Sequence, residues 1–235
     1  MKLASITFHF SRQRRGSPLA ALFTFHFRPK GGSMARYTGP KHKLCRAEGA
    51  AICGSPKCPV IRKNAARPGQ HGQKGRRKPS EYANQLREKQ KVKRMYGVLE
   101  RQFQRYFLLA SKKKASTAEA LLTILETRLD NVIYRLNLAS SRYQARQLVS
   151  HGHVLVNGKM VTIPSYNVTI GEVITLSPKA SNFEFIKKLA EVTKDYKIPT
   201  WLEKKGAAGK ILAMPRREEI EEPINERLIV EFYSR

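Results

Sequence analysis

The sequence predicts an α+β protein, in which a helical region with a metal-stapled N-terminal arm adjoins a compact module of helices and a small, mainly antiparallel sheet. Three observations predict this class. Apolar residues recur at helical spacing over residues 80–136, and an Asn-Gly pair at 157–158 separates two short β-type runs. The chain has 235 residues, 41% of them hydrophobic, which is enough for one sizeable core or two small ones.

The charge of the chain predicts a polyanionic partner. Its 45 Lys and Arg residues against 18 Asp and Glu give a net charge of +27 and a pI near 10.4. Such a field repels itself unless nucleic acid neutralises it. Many of the cations lie in a loop rich in Gly and Pro rather than on one face of an amphipathic helix, so the sequence disfavours a membrane surface as the partner.

The length of the apolar runs and the number of cysteines indicate the cellular compartment of the protein. The sequence contains no run of about 18 apolar residues of the kind that spans a bilayer. Its three cysteines are an odd number, which argues against a secreted disulfide framework. We therefore expect a cytoplasmic protein with no membrane partner.

We expect residues 1–33 to be either a leader that is absent from the native protein or a disordered extension. The stretch has six basic and no acidic residues, which is also typical of a transit peptide. Charged residues interrupt its apolar tracts, which disfavours a secretory signal. Lys30-Gly-Gly32 is what a purine-rich ribosome-binding site encodes when it is translated, so we expect Met34 to be the true start.

Residues 34–79 are predicted to form a basic arm that a metal ion holds together. His42, Cys45, Cys53 and Cys58 offer one imidazole and three thiols within 17 residues, a ligand set found in tetrahedral structural zinc sites. An arm with few large apolar side chains needs such a staple. Ordinary thiols without a metal remain the alternative, because the spacing does not reproduce a strict pair of C-x-x-C motifs.

A helical region is predicted over residues 80–115, packed with residues 186–235. Ser80 is a typical N-cap, Gly97 a typical residue after a helix end, and a second helix is expected from about Val98 to Ala110. The buried side of the first helix is expected to contain Leu86, Val92 and Met95. The same helix carries five cations with few acidic residues nearby in the sequence, so we expect phosphate contacts from Arg87, Lys89, Lys91, Lys93 and Arg94.

The compact module is predicted over residues 116–185. Ser116-Thr-Ala-Glu119 is a capping-box sequence, and it opens one long helix with an apolar stripe formed by Ala118, Leu121, Leu125, Leu129, Val132 and Leu136. A short helix with Ser140 or Ser141 as its N-cap is expected to follow and to end at Gly152.

The short helix carries the first candidate binding residues of the module. Arg142, Arg146 and Ser150 lie at i, i+4 and i+8, beside the apolar positions Ala145 and Leu148. We therefore expect both arginines to face outward together, where they can hold phosphates of structured RNA. Surface salt bridges are the alternative for them.

A hairpin and further elements complete the predicted module. Asn157-Gly158 accepts the positive φ angles of a type I′ turn, which predicts strands at 154–156 and 159–163. Further predicted elements are strands at 168–170 and 172–176 and a helix near 182–194. Trp201 is expected to pack in the core because it buries a large surface.

Two stretches resemble a known RNA-binding module. Thr127-Arg-Leu-Asp-Asn-Val-Ile-Tyr-Arg135 and Ser141-Arg-Tyr-Gln-Ala-Arg-Gln-Leu-Val-Ser-His-Gly-His153 are similar to the module named after the fourth protein of the small ribosomal subunit. Further matches to the bacterial ribosomal family itself are Met34-Ala-Arg-Tyr-Thr-Gly-Pro40, Pro68-Gly-Gln-His-Gly72, Leu86-Arg-Glu-Lys-Gln-Lys91, Tyr96-Gly-Val-Leu-Glu-Arg-Gln-Phe103, Pro199-Thr-Trp-Leu202 and Ile224-Asn-Glu-Arg-Leu-Ile-Val-Glu-Phe-Tyr-Ser234. The resemblance covers residues 34–235.

The resemblance implies a primary 16S rRNA-binding protein that nucleates assembly of the subunit body. It also implies contact with the fifth small-subunit protein, an influence on decoding accuracy, and a basic loop that touches mRNA where it enters the subunit. By position, that loop contains Lys74, Arg76, Arg77 and Lys78. Within the module we expect rRNA contacts from Arg128, Arg135, Arg142, Arg146, His151, His153 and Lys159. Some members of the family have four cysteines at the metal position, which implies zinc or an iron–sulfur cluster.

Two alternative functions follow from the same residues. Arg128-Leu-Asp130 resembles the motif that bears the catalytic aspartate of pseudouridine synthases, but it lies within the leucine-striped helix, and too few residues remain for a catalytic domain of ordinary size. We therefore predict that Asp130 is structural and that the protein is not an enzyme. The other alternative is an RNA-binding stress factor or assembly chaperone.

Overall fold

The computed structural model confirms the α+β class. It describes residues 37–55, 57–62, 66–70, 72, 78–113, 116–192, 196–220 and 222–235. Residues 35–235 form one compact unit. The described part contains nine α-helices and one antiparallel sheet of five strands. No helix in these ranges is long and apolar enough to cross a membrane. The proposed leader and Met34 lie outside the described residues.

Four helices of the described residues form a first core. They are α2 (Glu81–Met95), α3 (Glu100–Ser111), α4 (Thr117–Glu126) and, at the C-terminus, α9 (Glu226–Tyr233). A further helix, α1 (Lys41–Glu48), packs against α2, but its buried Cys45 belongs to a separate cluster with Cys53 and Cys58. α9 packs against α2 and α4, and α3 packs along α4. The apolar side chains at the centre of this core include Val92, Phe103, Leu121, Leu125 and Ile229.

The helix boundaries in this first core follow local signals. Ser80 accepts a hydrogen bond from the amide of Ala83 at the start of α2, and Gly97 beyond its end has a φ of 61°. Both predictions are confirmed. Val92 and Met95 are buried as predicted, whereas Leu86 is half-buried. Ser116 lies at the N-cap of α4, but its side chain makes no capping hydrogen bond there.

The long helix predicted from residue 116 is in fact two helices. α4 ends at Glu126, and α5 (Leu129–Arg135) begins after a break. At the break, the amide of Leu129 donates to the carbonyl of Tyr166 and the amide of Val168 donates to the carbonyl of Thr127. These bonds replace helical ones and interrupt α4. The leucine pattern continues across the break because both helices bury their leucines. Those of α4 lie in the first core and those of α5 in a second core.

The second core lies under the sheet. Its elements are α5, α6 (Arg142–Ser150), α7 (Pro178–Ser181), α8 (Glu184–Val192), β1 (Val154–Val156), β2 (Lys159–Met160), β3 (Val173–Leu176), β4 (Leu202–Lys205) and β5 (Ala208–Ile211). The strand order is β2-β1-β3-β5-β4, with every neighbour antiparallel. Leu155 pairs with Met160 and Thr175, which fixes the register at the hairpin. Asn157 and Gly158 have φ angles of 49° and 78°, so the predicted turn is confirmed.

Of the predicted strands in this half, one is absent and one is shorter than expected, since only residues 159–160 of the predicted 159–163 form β2. Residues 168–170 form no strand, because the amide of Val168 pairs with Thr127 and the chain then turns at 170–171. The helix expected near 182–194 is confirmed by α8, and α7 is a separate helix that precedes the predicted range. The sheet extends past residue 185, the predicted end of the module, because β5 pairs with β3. Trp201 is buried in this core as predicted, with 2% of its surface exposed.

Candidate RNA interface and metal centre

The four predicted metal ligands lie together. His42 and Cys45 are three residues apart on α1, and the following turns return Cys53 and Cys58 to the same place. Their ligand atoms all lie within 4.8 Å of one another, and the Cys53 Sγ is 3.7 Å from the His42 Nδ1. A tetrahedral zinc ion with Zn–S bonds of about 2.3 Å separates its sulfur atoms by about 3.8 Å. The donor set and its spacing therefore fit one metal ion.

The environment of the thiols suits a thiolate-binding cation. Cys45, Cys53 and Cys58 are buried, and none of them forms a disulfide. Burial, together with the hydrogen bond to Cys53, raises the pKa of the Cys45 thiol to about 12. Burial alone would raise the pKa of Cys58 too, but hydrogen bonds from the backbone of Val60 and from the neighbouring thiols lower it. A bound dication would favour the thiolate at all three positions.

The arm that carries these ligands is anchored to α2. Arg94 pairs with Glu48, the last residue of α1, and Arg87 donates from Nη1 to the carbonyl of Ala47 at 3.0 Å. Burial raises the pKa of Glu48, and the nearby charge of Arg94 opposes that rise. Two of the cations predicted to meet phosphate therefore hold the arm in place.

The other cations of α2 are also paired within the protein. Lys89 and Lys93 donate to the two carboxylate oxygens of Glu100 at 2.7 and 2.8 Å, and Lys89 is only 5% exposed. Lys91 lies 3.5 Å from Glu88 and donates to the carbonyl of Pro223. The expectation that few acidic partners are available to these cations is wrong, because folding supplies carboxylates from before and after α2. Their contact with rRNA stays a prediction.

Arg146 of α6 faces inward, against expectation. Its Nε and Nη2 lie 2.8 and 2.6 Å from Oδ2 of the buried Asp130, and its Nη1 donates to the carbonyl of Gly97 at 2.6 Å. Arg128 donates to both oxygens of the same carboxylate, at 3.0 Å to Oδ1 and 2.7 Å to Oδ2, and it also donates to the hydroxyl of Tyr106 at 2.6 Å. Asp130 is therefore the centre of a buried ion cluster that links α5 and α6 to the first core.

Arg142 and Arg135 form a second inward cluster. Arg135 donates to Glu126 at 2.8 and 3.0 Å, and Glu222 accepts from both arginines at 2.5 and 2.6 Å. The Nε of Arg142 donates to the Asn131 side chain at 2.7 Å. Glu126 is 1% exposed. The outward direction expected for Arg142 and Arg146 is therefore wrong, because Glu222 and Asp130 lie where the spacing suggested solvent.

Aromatic rings contact the second cluster, and the charges within it shift the pKa values of its members. The Arg142 guanidinium lies 4.6 Å from the centroid of the Tyr134 ring and 4.9 Å from that of Tyr96. Burial alone would raise the pKa of Glu222, but the charges of Arg142 and Arg135 outweigh it and lower the pKa. Burial, with Glu126 nearby, raises the pKa of Tyr96 well above its usual value. The arginines are therefore fixed structural ions, and their role in RNA binding stays a prediction.

A different set of cations is exposed. Arg101 and Arg105 lie at i and i+4 on the outer face of α3, opposite the buried Phe103 and Phe107, and neither forms an ion pair with a described residue. Lys112 continues the same stripe at the end of the helix. Sequence reasoning missed these residues, although the spacing rule applied to α6 also identifies them. Other exposed cations include Lys43, Lys57, Arg62, Lys179, Lys187 and Lys210.

The remaining predicted RNA-binding residues lie near the hairpin or in the arm. Lys159 is exposed on β2, His151 is exposed at the end of α6, and His153 is half-buried against Phe183. In the basic loop, Lys78 is exposed, and the other three predicted residues, Lys74, Arg76 and Arg77, lie outside the described residues. Contacts of these groups with RNA stay predictions.

Comparisons with known proteins agree with this arrangement. The family described as "Ribosomal protein S4/S9 N-terminal domain" matches residues 36–126, and the "S4 domain" family matches residues 127–174. The boundary between these families coincides with the break between α4 and α5.

Relatives match the chain over most of its length. "Small ribosomal subunit protein uS4A" of Symbiobacterium thermophilum is 52% identical over 210 residues, which cover 86% of this chain and all of that protein. "Small ribosomal subunit protein uS4" of Ruminiclostridium cellulolyticum is also 52% identical, and that of Thermus thermophilus is 50% identical, with the same coverage. These relatives confirm the predicted resemblance and the prediction of a protein that is not an enzyme. The chain belongs to the uS4 family of small ribosomal subunit proteins.

Proposed function

We propose that this protein is a structural constituent of the small ribosomal subunit in the cytoplasm, and that it binds 16S rRNA early and nucleates assembly of the subunit body. One observation carries the proposal: buried ion clusters fix α5 and α6, while a separate set of cations remains exposed. A rigid platform with exposed cations suits structured RNA, which is recognised by shape and through phosphates. Membership of the uS4 family supports the same conclusion.

The proposal includes two finer roles at the ribosome. The loop that contains Lys74, Arg76, Arg77 and Lys78 contacts mRNA where it enters the subunit, since a Gly-rich loop with four cations binds a phosphate backbone without sequence preference. Through this contact, and through contact with the fifth small-subunit protein, the chain influences decoding accuracy. These roles follow from the family resemblance and from the charge of the loop.

We also propose that His42, Cys45, Cys53 and Cys58 hold one structural zinc ion. The proximity of the four ligand atoms supports it, and the ion would join α1 to the turns that follow. Metal analysis of protein purified without tags or chelators is expected to give about one zinc per chain. An iron–sulfur cluster would instead give iron and acid-labile sulfide. Finding neither metal would refute the proposal.

Sedimentation tests the ribosomal role directly. In cell extract, the chain is expected in the small-subunit peak, identified by mass spectrometry, and to stay there after a high-salt wash. An RNA-binding stress factor or assembly chaperone would leave the subunit at moderate salt. Dissociation below the salt concentration that strips peripheral factors would therefore contradict the proposal.

The exposed stripe on α3 gives a residue-level test. Arg101 and Arg105 are replaced together by Ala, and binding to 16S rRNA is measured by filter titration at several salt concentrations. If both arginines contact phosphate, the affinity falls for all target sequences, and the slope of log K against log salt decreases by about two. The matched control replaces Lys205, an exposed cation that pairs with Glu203 at 2.9 Å. An unchanged slope in the double variant would exclude α3 from the RNA interface.

A further inference from the structure

A small cleft lies between α6 and the start of α8. It has a volume of about 220 Å³, and Leu148 of the second core forms its apolar floor. The walls are aromatic, imidazole and amide side chains, contributed by Gln144, Gln147, His151, His153, Phe183 and Phe185. The cleft is smaller than the 300–1,000 Å³ typical of sites for drug-sized ligands, so it suits a single flat ring system.

The rings in this cleft form a continuous aromatic surface. Phe183 and Phe185 stack with centroids 5.5 Å apart, and His153 meets Phe183 edge-on at 5.1 Å. Phe183 packs against the core, whereas Phe185 keeps 39% of its surface exposed. An exposed phenylalanine beside a fixed one offers a free π face, on which any of the four nucleobases can stack.

The polar groups of the cleft are available to a ligand. The Oε1 of Gln144 accepts from the amide and the hydroxyl of Ser140 at 2.8 and 2.7 Å, which fixes this side chain in place. Among the described residues, no hydrogen bond engages the side chains of Gln147, His151 or His153. Carboxamides pair with base edges through a donor and an acceptor at once, and imidazoles also bind or stack on bases.

The charges around the cleft favour a ligand that carries phosphate. The amide of Lys187 donates to the carbonyl of Phe183 at 3.2 Å, so this exposed lysine lies one helical turn after the ring. Lys179 on α7 is also exposed. The acidic residue nearest in sequence, Glu184, pairs with Lys188 at 3.4 Å. A nucleotide within an RNA chain can place its base in the cleft and its phosphates near these lysines.

We propose that this cleft binds one unstacked nucleobase of the RNA that the protein recognises. Phe185 supplies the stacking face, Gln147 pairs with the edge of the base, and Gln144 donates to that edge from its Nε2 amide. The inference rests on the proposed function, since it assigns to that function a point of base contact beyond the phosphates.

Chemical probing of the complex tests the inference. The full chain is bound to 16S rRNA at fixed salt, and the bases are probed with dimethyl sulfate, kethoxal and a carbodiimide, which together report A, C, G and U, while hydroxyl radicals report the backbone. Wild type is expected to protect one unpaired base that Phe185→Leu leaves reactive, with the backbone footprint unchanged. The variant should weaken binding about fivefold, the low end of the effect of base–aromatic stacking.

Matched variants separate stacking from folding. Phe185→Tyr keeps the aromatic face and should retain the protection, whereas Tyr82→Leu removes an exposed aromatic residue of α2 outside the cleft and should not change the reactivity of that base. Identical base reactivities in wild type and Phe185→Leu would overturn the inference alone. If subunits reconstituted with Phe185→Leu kept the same base reactivities but lost a neighbouring ribosomal protein, the ligand of the cleft would be a protein and the inference would also be overturned. A wild-type chain with no footprint at all would overturn the proposed function as well.

Discussion

Replacing Arg146 tests whether this arginine stabilises the fold or faces RNA. Its guanidinium makes two contacts of 2.6 and 2.8 Å to Asp130 and donates to the carbonyls of Gly97 and Tyr96 at 2.6 and 3.0 Å. The side chain is 16% exposed and Asp130 is 3% exposed. Arg146→Ala therefore removes one partner of a buried ion pair and leaves two carbonyls without their donor.

The expected loss of stability is large. Removing one partner of a buried ion pair costs about 3–5 kcal/mol, because the remaining charge stays buried. Asp130 keeps Arg128, so the lower end applies, and the carbonyls of Gly97 and Tyr96 regain water at the partly open edge. We expect the free energy of unfolding to fall by about 3 kcal/mol, from a total of about 5–15 kcal/mol for a domain of ordinary stability.

Urea titration measures this loss. Trp201 is the sole tryptophan of the chain and is buried in the second core, so its fluorescence reports unfolding. Arg105→Ala is the matched control, since it removes the same charge from an exposed position and is expected to change stability by about 0.5 kcal/mol or less. If Arg146→Ala also stayed within about 1 kcal/mol of wild type, the buried pair assigned here would be wrong.

Three further predictions concern the hairpin, the arm and α2. Gly158→Ala should lower the free energy of unfolding by about 1–2 kcal/mol, because Gly158 has a φ of 78°, which a residue with a Cβ rarely adopts. No neighbouring atom lies within 4 Å of an added Cβ, so the loss comes from the backbone conformation and not from a clash. An unchanged Tm in thermal unfolding would contradict this. Cys58→Ser should lower Tm as much as a chelator does, and a chelator should then have no further effect on the variant. Burial would raise the pKa of Glu100, but Lys89 and Lys93 hold it at about 2, below the usual 4.5. The ionised Glu100 therefore stabilises the fold above pH 4.5, and this stabilisation is lost as the pH falls towards 2. The difference in Tm between wild type and Glu100→Gln should accordingly shrink from pH 6 to pH 3.

Features that depend on a few neighbouring residues could be predicted from the sequence. Ser80 and Ser141 accept hydrogen bonds from amides three residues later, and Gly97 and Gly152 have the positive φ expected after a helix end. The Asn157 turn is equally local. Each of these signals acts within one turn of chain, so no distant contact overrides it. The four metal ligands could also be predicted from the sequence, because three of them are cysteines that lie close together along the chain, within 14 residues.

Features that depend on distant partners could not be predicted in this way. β4 and β5 have few apolar residues, and they form strands because β5 completes its hydrogen bonds with β3. The helix break at Thr127 depends on Tyr166 and Val168. The spacing of Arg142 and Arg146 correctly placed them beside the apolar stripe, but spacing does not reveal that Glu222 arrives from 80 residues away.

The pairing of these charges also changes which cations should control the salt dependence of RNA binding. A cation exchanges its counterions for phosphate only if it is exposed and has no stronger partner. Arg142 and Arg146 would first have to leave a carboxylate that is buried or nearly so, and the cost of stranding that charge exceeds the gain from one screened phosphate contact. Arg101 and Arg105 have no such cost. The salt slope of rRNA binding should therefore follow the number of exposed cations and not the net charge of +27.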